Sequence, residues 1–171
     1  MCTSCELMYY VLDAAGRCET CDPEVFARAR GWKERAIRDF LDLQGVKYET
    51  HDRRLPDGCG LERPDFLIDN GHSFLVLEID EDQHEGYACV CEQTRMVNIS
   101  QALGMRTVFI RYNPDRFTVD GQTRKVSDTR RQEELLRVLA RYRYQPPGHF
   151  CSAVYMFYNG SVLTDEIGIT V

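Results

Sequence analysis

Residues 63–85 read RPDFLIDNGHSFLVLEIDEDQHE, and two apolar runs in this stretch, 66–68 and 74–79, flank Asn70-Gly71. Asn-Gly between β-forming residues is a strong hairpin signal, because both turn positions tolerate the left-handed backbone that a tight turn needs. Two antiparallel strands are therefore predicted, with Asp65 at the start of the first and Glu78 and Asp80 near the end of the second. Alternation puts Phe74, Val76, Glu78 and Asp80 on one face and Leu75, Leu77 and Ile79 on the other. A strand that ends one face in two carboxylates packs poorly. It suits a hard divalent cation, which takes several carboxylate oxygens converging on one point. Asp69, beside the Asn-Gly pair, reads as turn chemistry.

Downstream, Cys89-x-Cys91 leads into a helix expected from about residue 92 to 103, with Met96, Ile99 and Leu103 as its apolar stripe and Gly104 as its stop. Glu92 and Arg95 stand three apart on that helix, where an ion pair along the helix is the plain reading. Residues 107–112 form an apolar strand, and 117–125 a loop or short hairpin around Asp120-Gly121. Ser127 or Asp128 caps a helix with the stripe Leu135, Leu136, Val138 and Leu139. Two further strands, 152–158 and 161–167, meet at Asn159-Gly160.

Upstream, residues 46–53 alternate as a strand, and 55–63 form a loop with Pro56, Gly58 and Gly60. Before them, Asp22-Pro23 starts a helix. It continues past Gly31 through a stripe of Trp32, Ala36, Ile37, Phe40 and Leu41 to Gly45. Glu34 lies beside that stripe, either as a surface charge or as a carboxylate approaching the site. The order of elements predicts an α/β domain with a mixed sheet covered by helices.

The first residues carry Cys2-x-x-Cys5 and Cys18-x-x-Cys21, with twelve residues between the pairs. Two such knuckles point to a tetrahedral four-cysteine zinc site, since thiolates fill all four corners and leave no open position. A redox Cys-x-x-Cys would not need a second copy. The zinc is read as structural, standing in for a core that so short a segment cannot build. A small hairpin is expected between the knuckles. Cys59, Cys89, Cys91 and Cys151 remain, either as buried thiols or, with His149, as a second zinc site.

The chain has 171 residues, 43% hydrophobic and 28% charged, with net charge −6. That suits one main domain with a small appendage: a ribbon at 1–22, a core at 23–145 and a hairpin at 146–171 packing on the core. The acidic balance argues against a general basic coat for nucleic acid, while leaving room for local patches at Arg53-Arg54, Arg124-Lys125, Arg130-Arg131 and 141–143. Each of these is read first as a solvated face. No stretch approaches the roughly 20 apolar residues of a membrane span, and no basic or apolar leader opens the chain, so an intracellular protein is expected.

The order Glu34, Pro64-Asp65, Glu78-x-Asp80, His84, Glu92-x-x-Arg95, Gly104, Arg111 resembles the PD-(D/E)XK nuclease superfamily, in its branch of very-short-patch-repair-type endonucleases. The resemblance runs from about residue 24 to 111. It implies a restriction-endonuclease-like fold and metal-dependent hydrolysis of DNA. Asp65, Glu78 and the Ile79 carbonyl would hold Mg²⁺ or Mn²⁺. His84 would serve as base or relay, Glu34 would complete the cation's shell, Arg95 would face the phosphate, and Gln83 would position water. Where the superfamily carries lysine this chain has Asp80, which would bind metal or orient water. The alternative implied by that exchange is an inactive nucleic-acid-binding or adaptor protein on the same fold. A zinc-braced interaction module is a third reading.

Overall fold

The computed structural model describes residues 1–8, 12–18, 20–25, 31–51, 64–84 and 89–170, with the side chains of 50, 51, 82, 84, 89 and 90 left aside. The expected strand residues beyond 51, the loop at 55–63, Cys59 and Arg53-Arg54 lie outside these residues. Two compact units emerge, Met1–Gln44 and Gly45–Val171.

In the first unit, Asp13 builds the turn between the two cysteine pairs. Its Oδ1 accepts the amides of Ala15 and Arg17, and Gly16 closes the turn at φ 73°. The chain returns on itself there, with the Asp13 amide on the Arg17 carbonyl and the Thr3 amide on the Gly16 carbonyl. No strand is assigned among the described residues of this unit, and part of the expected hairpin, residues 9–11, lies outside them. Asp22 accepts the Val25 amide as a helix cap. Helix α1 (Trp32–Leu43) follows Gly31, which adopts a left-handed backbone, and ends before Gly45 at φ 69°. Its stripe is narrower than expected. Ile37 and Leu41 are buried, but Trp32 is 57% exposed and Ala36 is also exposed.

In the second unit, a seven-stranded mixed sheet runs in the order β1 (Thr50–His51), β2 (Phe66–Asp69), β3 (Phe74–Ile79), β4 (Thr107–Tyr112), β7 (Cys151–Tyr158), β8 (Ser161–Leu163), with β9 (Ile167–Gly168) also on β7. β2 and β3 are antiparallel about Asn70-Gly71, with the Asp69 carboxylate accepting the Gly71 amide. β3, β4 and β7 are parallel. Helix α2 (Cys89–Leu103) connects the first two of these. The hairpin of β5 (Phe117–Val119) and β6 (Gln122–Arg124) and helix α3 (Asp128–Tyr144) connect the last two. β7 and β8 form the expected antiparallel hairpin about Asn159-Gly160, and β7 also lies inside the sheet, extending its parallel part beside β4.

Alternation sorts the two faces. Leu67, Val76, Phe109, Cys151 and Ala153 pack with Met96, Ile99 and Leu103 of α2. The opposite parity, Leu75, Leu77, Val108, Ile110, Val154 and Met156, is equally buried. α3 supplies the other apolar stripe, Leu135, Val138, Leu139 and Tyr142, and Ser127 caps it. Arg131, read as a solvated charge, is buried. It donates to the carbonyls of Asn113 and Asp115, and its guanidinium lies 4.5 Å over the Phe157 ring.

Candidate functional site

Two clusters of chemistry-bearing residues stand out, one in each unit. In the first, the Sγ atoms of Cys2, Cys5, Cys18 and Cys21 all lie within 4.8 Å of one another, and Cys5 and Cys18 are 3.8 Å apart. Zinc–sulfur bonds of about 2.3 Å at tetrahedral angles give sulfur separations of about 3.8 Å. Backbone amides of Ser4 and Cys18 point at the Cys2 sulfur, which favours its thiolate form. The four thiols are free rather than paired in disulfides, and the donor set fits structural zinc. Among the described residues this is the only group of three or more such ligand atoms so close together.

The second cluster sits at the carboxyl edge of β3 and β4. Asp65 stands just before β2, whose Phe66 pairs with Leu77, and its carboxylate is near enough to Glu78 to act on its charge. Asp65 Oδ2 accepts the Ile79 amide at 2.7 Å, which ties the carboxylate to the end of β3. Glu78 is 4% exposed. Its Oε1 lies 3.0 Å from Arg95 Nη2, an ion-pair distance, yet this atom has no hydrogen bond, so the approach is electrostatic without good donor geometry. Burial pushes the Glu78 carboxyl up to about 8, with Arg95 opposing and Asp65 adding to the rise.

Asp80 belongs to the same cluster but is already committed. Arg111 grips it with two bonds, Nε to Oδ2 at 2.5 Å and Nη2 to Oδ1 at 2.9 Å, and the Tyr158 hydroxyl donates to Oδ2. Asp80 is 1% exposed. Neither metal ligation nor orientation of a water, the roles implied for it, suits a carboxylate so fully occupied. The third arm of Arg111 meets Glu92 at 2.6 Å. Glu92 and Arg95 thus both reach from the first turns of α2 to the sheet, on Arg111 and Glu78, and do more than pair along the helix. With Glu78 protonated, Asp65, Asp80 and Glu92 exceed Arg95 and Arg111 by one charge. Loss of the Glu78 proton would raise the excess to two, the charge of a divalent cation.

The backbone explains how Tyr158 arrives. Phe157 has φ 62°, a left-handed conformation that side chains rarely adopt. This reverses the alternation at the end of β7. Phe157 stacks edge-on with Tyr112, whereas Tyr158 meets Tyr155 and reaches Asp80. Strict alternation would exchange the two rings. Sequence reading passed over Tyr158, because nothing in the local pattern signals a reversal there.

The other expected site residues fall in different places. Gln83 Oε1 accepts the Asn159 amide at 2.8 Å, so this side chain fastens two turns together instead of positioning water. His84 ends the 3-10 turn Glu81–His84 that follows Asp80, and its side chain lies outside the described residues. Glu34 lies in the first turn of α1, in the unit that does not contain Asp65 and Glu78. Of the spare cysteines, Cys151 is buried and Cys91 exposed, while Cys59 and the Cys89 side chain lie outside the described residues. Among the described residues no helix is long and apolar enough to cross a membrane. The chain matches no protein-family model, no curated protein and no solved structure.

Proposed function

We propose that the sheet unit is a Mg²⁺- or Mn²⁺-dependent nuclease acting on DNA, with Asp65 and Glu78 as its metal carboxylates. The observation that supports this best is Glu78. It is a buried carboxyl with an oxygen that makes no hydrogen bond, near the Asp65 carboxylate, in a cluster with excess carboxylates. A bound cation would supply Lewis acidity and a water of lowered pKa. Asp65, anchored by the Ile79 amide, and Glu78, which must shed its proton first, are the groups that would hold it. Arg95 is part-exposed beside Glu78 and is the cation placed to meet a phosphate once Glu78 binds metal. Arg111 is not free for that task, since it holds Asp80 and Glu92. The Ile79 carbonyl and His84 keep the roles the family resemblance gives them, as further ligand and as base or relay.

The alternative is a binding protein that has kept the fold and lost the chemistry. The locked Asp80 at the lysine position favours it. Nicking of supercoiled plasmid in Mn²⁺ or Mg²⁺ separates the two. The nuclease reading expects cleavage by wild type and its loss in Asp65→Asn and Glu78→Gln. Wild type that cuts nothing, or variants that cut equally, would favour the alternative.

A further inference from the structure

The hairpin β5–β6 buries Phe117 against Phe157 of β7, while its remaining residues stay clear of the core and of the carboxylate cluster, and it is fastened to the same edge of the sheet. β3, β4 and β7 run parallel, so Ile79, Tyr112 and Tyr158 mark one end of the sheet. The hairpin starts just past Tyr112. Its Thr118 donates to the Asn159 side chain at 2.8 Å and accepts the Gly160 amide at 2.7 Å. Asn159 in turn donates its amide to Gln83, in the turn that follows Asp80. Arg131 braces the base from below through the Asn113 and Asp115 carbonyls and the face of Phe117. The tip is a tight turn with positive φ at both Asp120 and Gly121, the pair of conformations that matches strand twist.

Its charge is also distinctive. Arg116, Arg124 and Lys125 on the hairpin, and Arg130 in the first turn of α3, are all exposed. None of the four has a carboxylate partner among the described residues. Elsewhere on the surface, Arg38 pairs with Asp39 and Arg137 with Glu134, whereas Arg141 and Arg143 at the end of α3 are exposed and, among the described residues, likewise have no carboxylate partner. Four unpaired cations beside Asp120 and Asp128 make a local positive patch on a chain of net charge −6. Phosphate oxygens are the natural partners of such side chains, and a rigid base lowers the entropy lost on contact.

We propose that this hairpin is a wing that lies along the sugar–phosphate backbone of a nucleic acid held at the carboxylate edge, with Arg116, Arg124, Lys125 and Arg130 on successive phosphates. The contact positions the strand and carries no sequence information. It rests on the nuclease reading only for what happens next to the wing, not for binding itself.

The test uses the full zinc-loaded chain and fluorescence anisotropy with a labelled DNA duplex and the single strand of the same sequence. Ca²⁺ replaces Mn²⁺ so that nothing is cut. Arg124→Gln/Lys125→Gln is compared with Arg141→Gln/Arg143→Gln, which removes equal charge where α3 ends beside the β2–β3 turn, at the far end of the sheet. The wing variant is expected to bind roughly five- to fifty-fold more weakly near 0.1 M salt, with a log–log salt slope flatter by about 1–2. The far-end variant stays within about twofold of wild type, as does the thermal midpoint of both. Equal weakening by both variants, no weakening by the wing variant, or no binding of either oligonucleotide by wild type overturns the proposal. Wild type that binds through the wing but never cuts would sink the nuclease reading and leave the wing standing.

Discussion

Among the described residues of Met1–Gln44 the buried side chains are two cysteines, Cys2 and Cys18, with Ile37 and Leu41, while Met1, Leu7, Met8, Val25, Trp32 and Leu43 are exposed. In Gly45–Val171 both faces of a parallel core are apolar, and the buried charges Glu78, Asp80, Arg111 and Arg131 are nearly all matched by hydrogen bonds. A short segment cannot bury enough apolar surface to offset its chain entropy, so it depends on a point of coordination. A sheet of this size can, and it tolerates charge inside as long as each charge has a partner. Glu78 is where that matching is incomplete, and incomplete matching inside a well-built core marks a site more clearly than acidity alone.

The sharpest break between the units should come from removing metal. Cys18→Ser, or chelation of zinc, is expected to abolish zinc binding and open residues 1–44 to trypsin, while the unfolding transition of the sheet unit persists. Elemental analysis and mass spectrometry of the fragments check this. Retention of zinc, or cleavage spread evenly over both units, would refute it. Next, Arg111→Met leaves Asp80 buried without its counter-ion and should lower stability to urea by about 3–5 kcal/mol. Adding Asp80→Asn should restore part of that loss, because the orphaned charge is then gone.

The sheet's one mismatched carboxyl also predicts a pH effect. With its pKa raised from 4.5 in the unfolded chain to about 8, Glu78 stays protonated in the folded protein where the unfolded chain has lost the proton. The stability it contributes is full below about pH 4.5 and is lost as pH rises toward 8. Measured without divalent metal, wild type should lose stability across that window relative to Glu78→Gln, by roughly a few kcal/mol in all. A flat difference would show that Glu78 is already ionised. The smallest effect belongs to Tyr158→Phe, which removes one hydrogen bond to Asp80 and should cost about 1–2 kcal/mol in urea melts.

Much of the sheet was legible because its signals are local. Asn70-Gly71, Gly104 at φ 66° and the run Thr107–Tyr112 each fix an element by short-range chemistry. Alternation along β3 likewise put Glu78 on the face of Val76, whose neighbours across the sheet are Phe109 and Ala153. What alternation cannot show is who else arrives. Arg111 enters from a strand thirty-odd residues away in the chain, and Tyr158 enters only because Phe157 takes a left-handed backbone. These long-range partners are what turn Asp80 from a metal ligand into half of an ion pair. The narrow stripe of α1 has a similar lesson: five apolar residues at helical spacing promise a buried face, but a unit this small covers only Ile37 and Leu41.

The claim most in need of trial is that Asp65 and Glu78 together bind a divalent cation. Titrating Mn²⁺ into the zinc-loaded protein by calorimetry at pH 8 addresses it directly. One Mn²⁺ per chain is predicted for wild type, with affinity lower by roughly tenfold or more in Asp65→Asn and in Glu78→Gln. Wild type that takes up no Mn²⁺, or variants that bind it as tightly as wild type, would contradict the account.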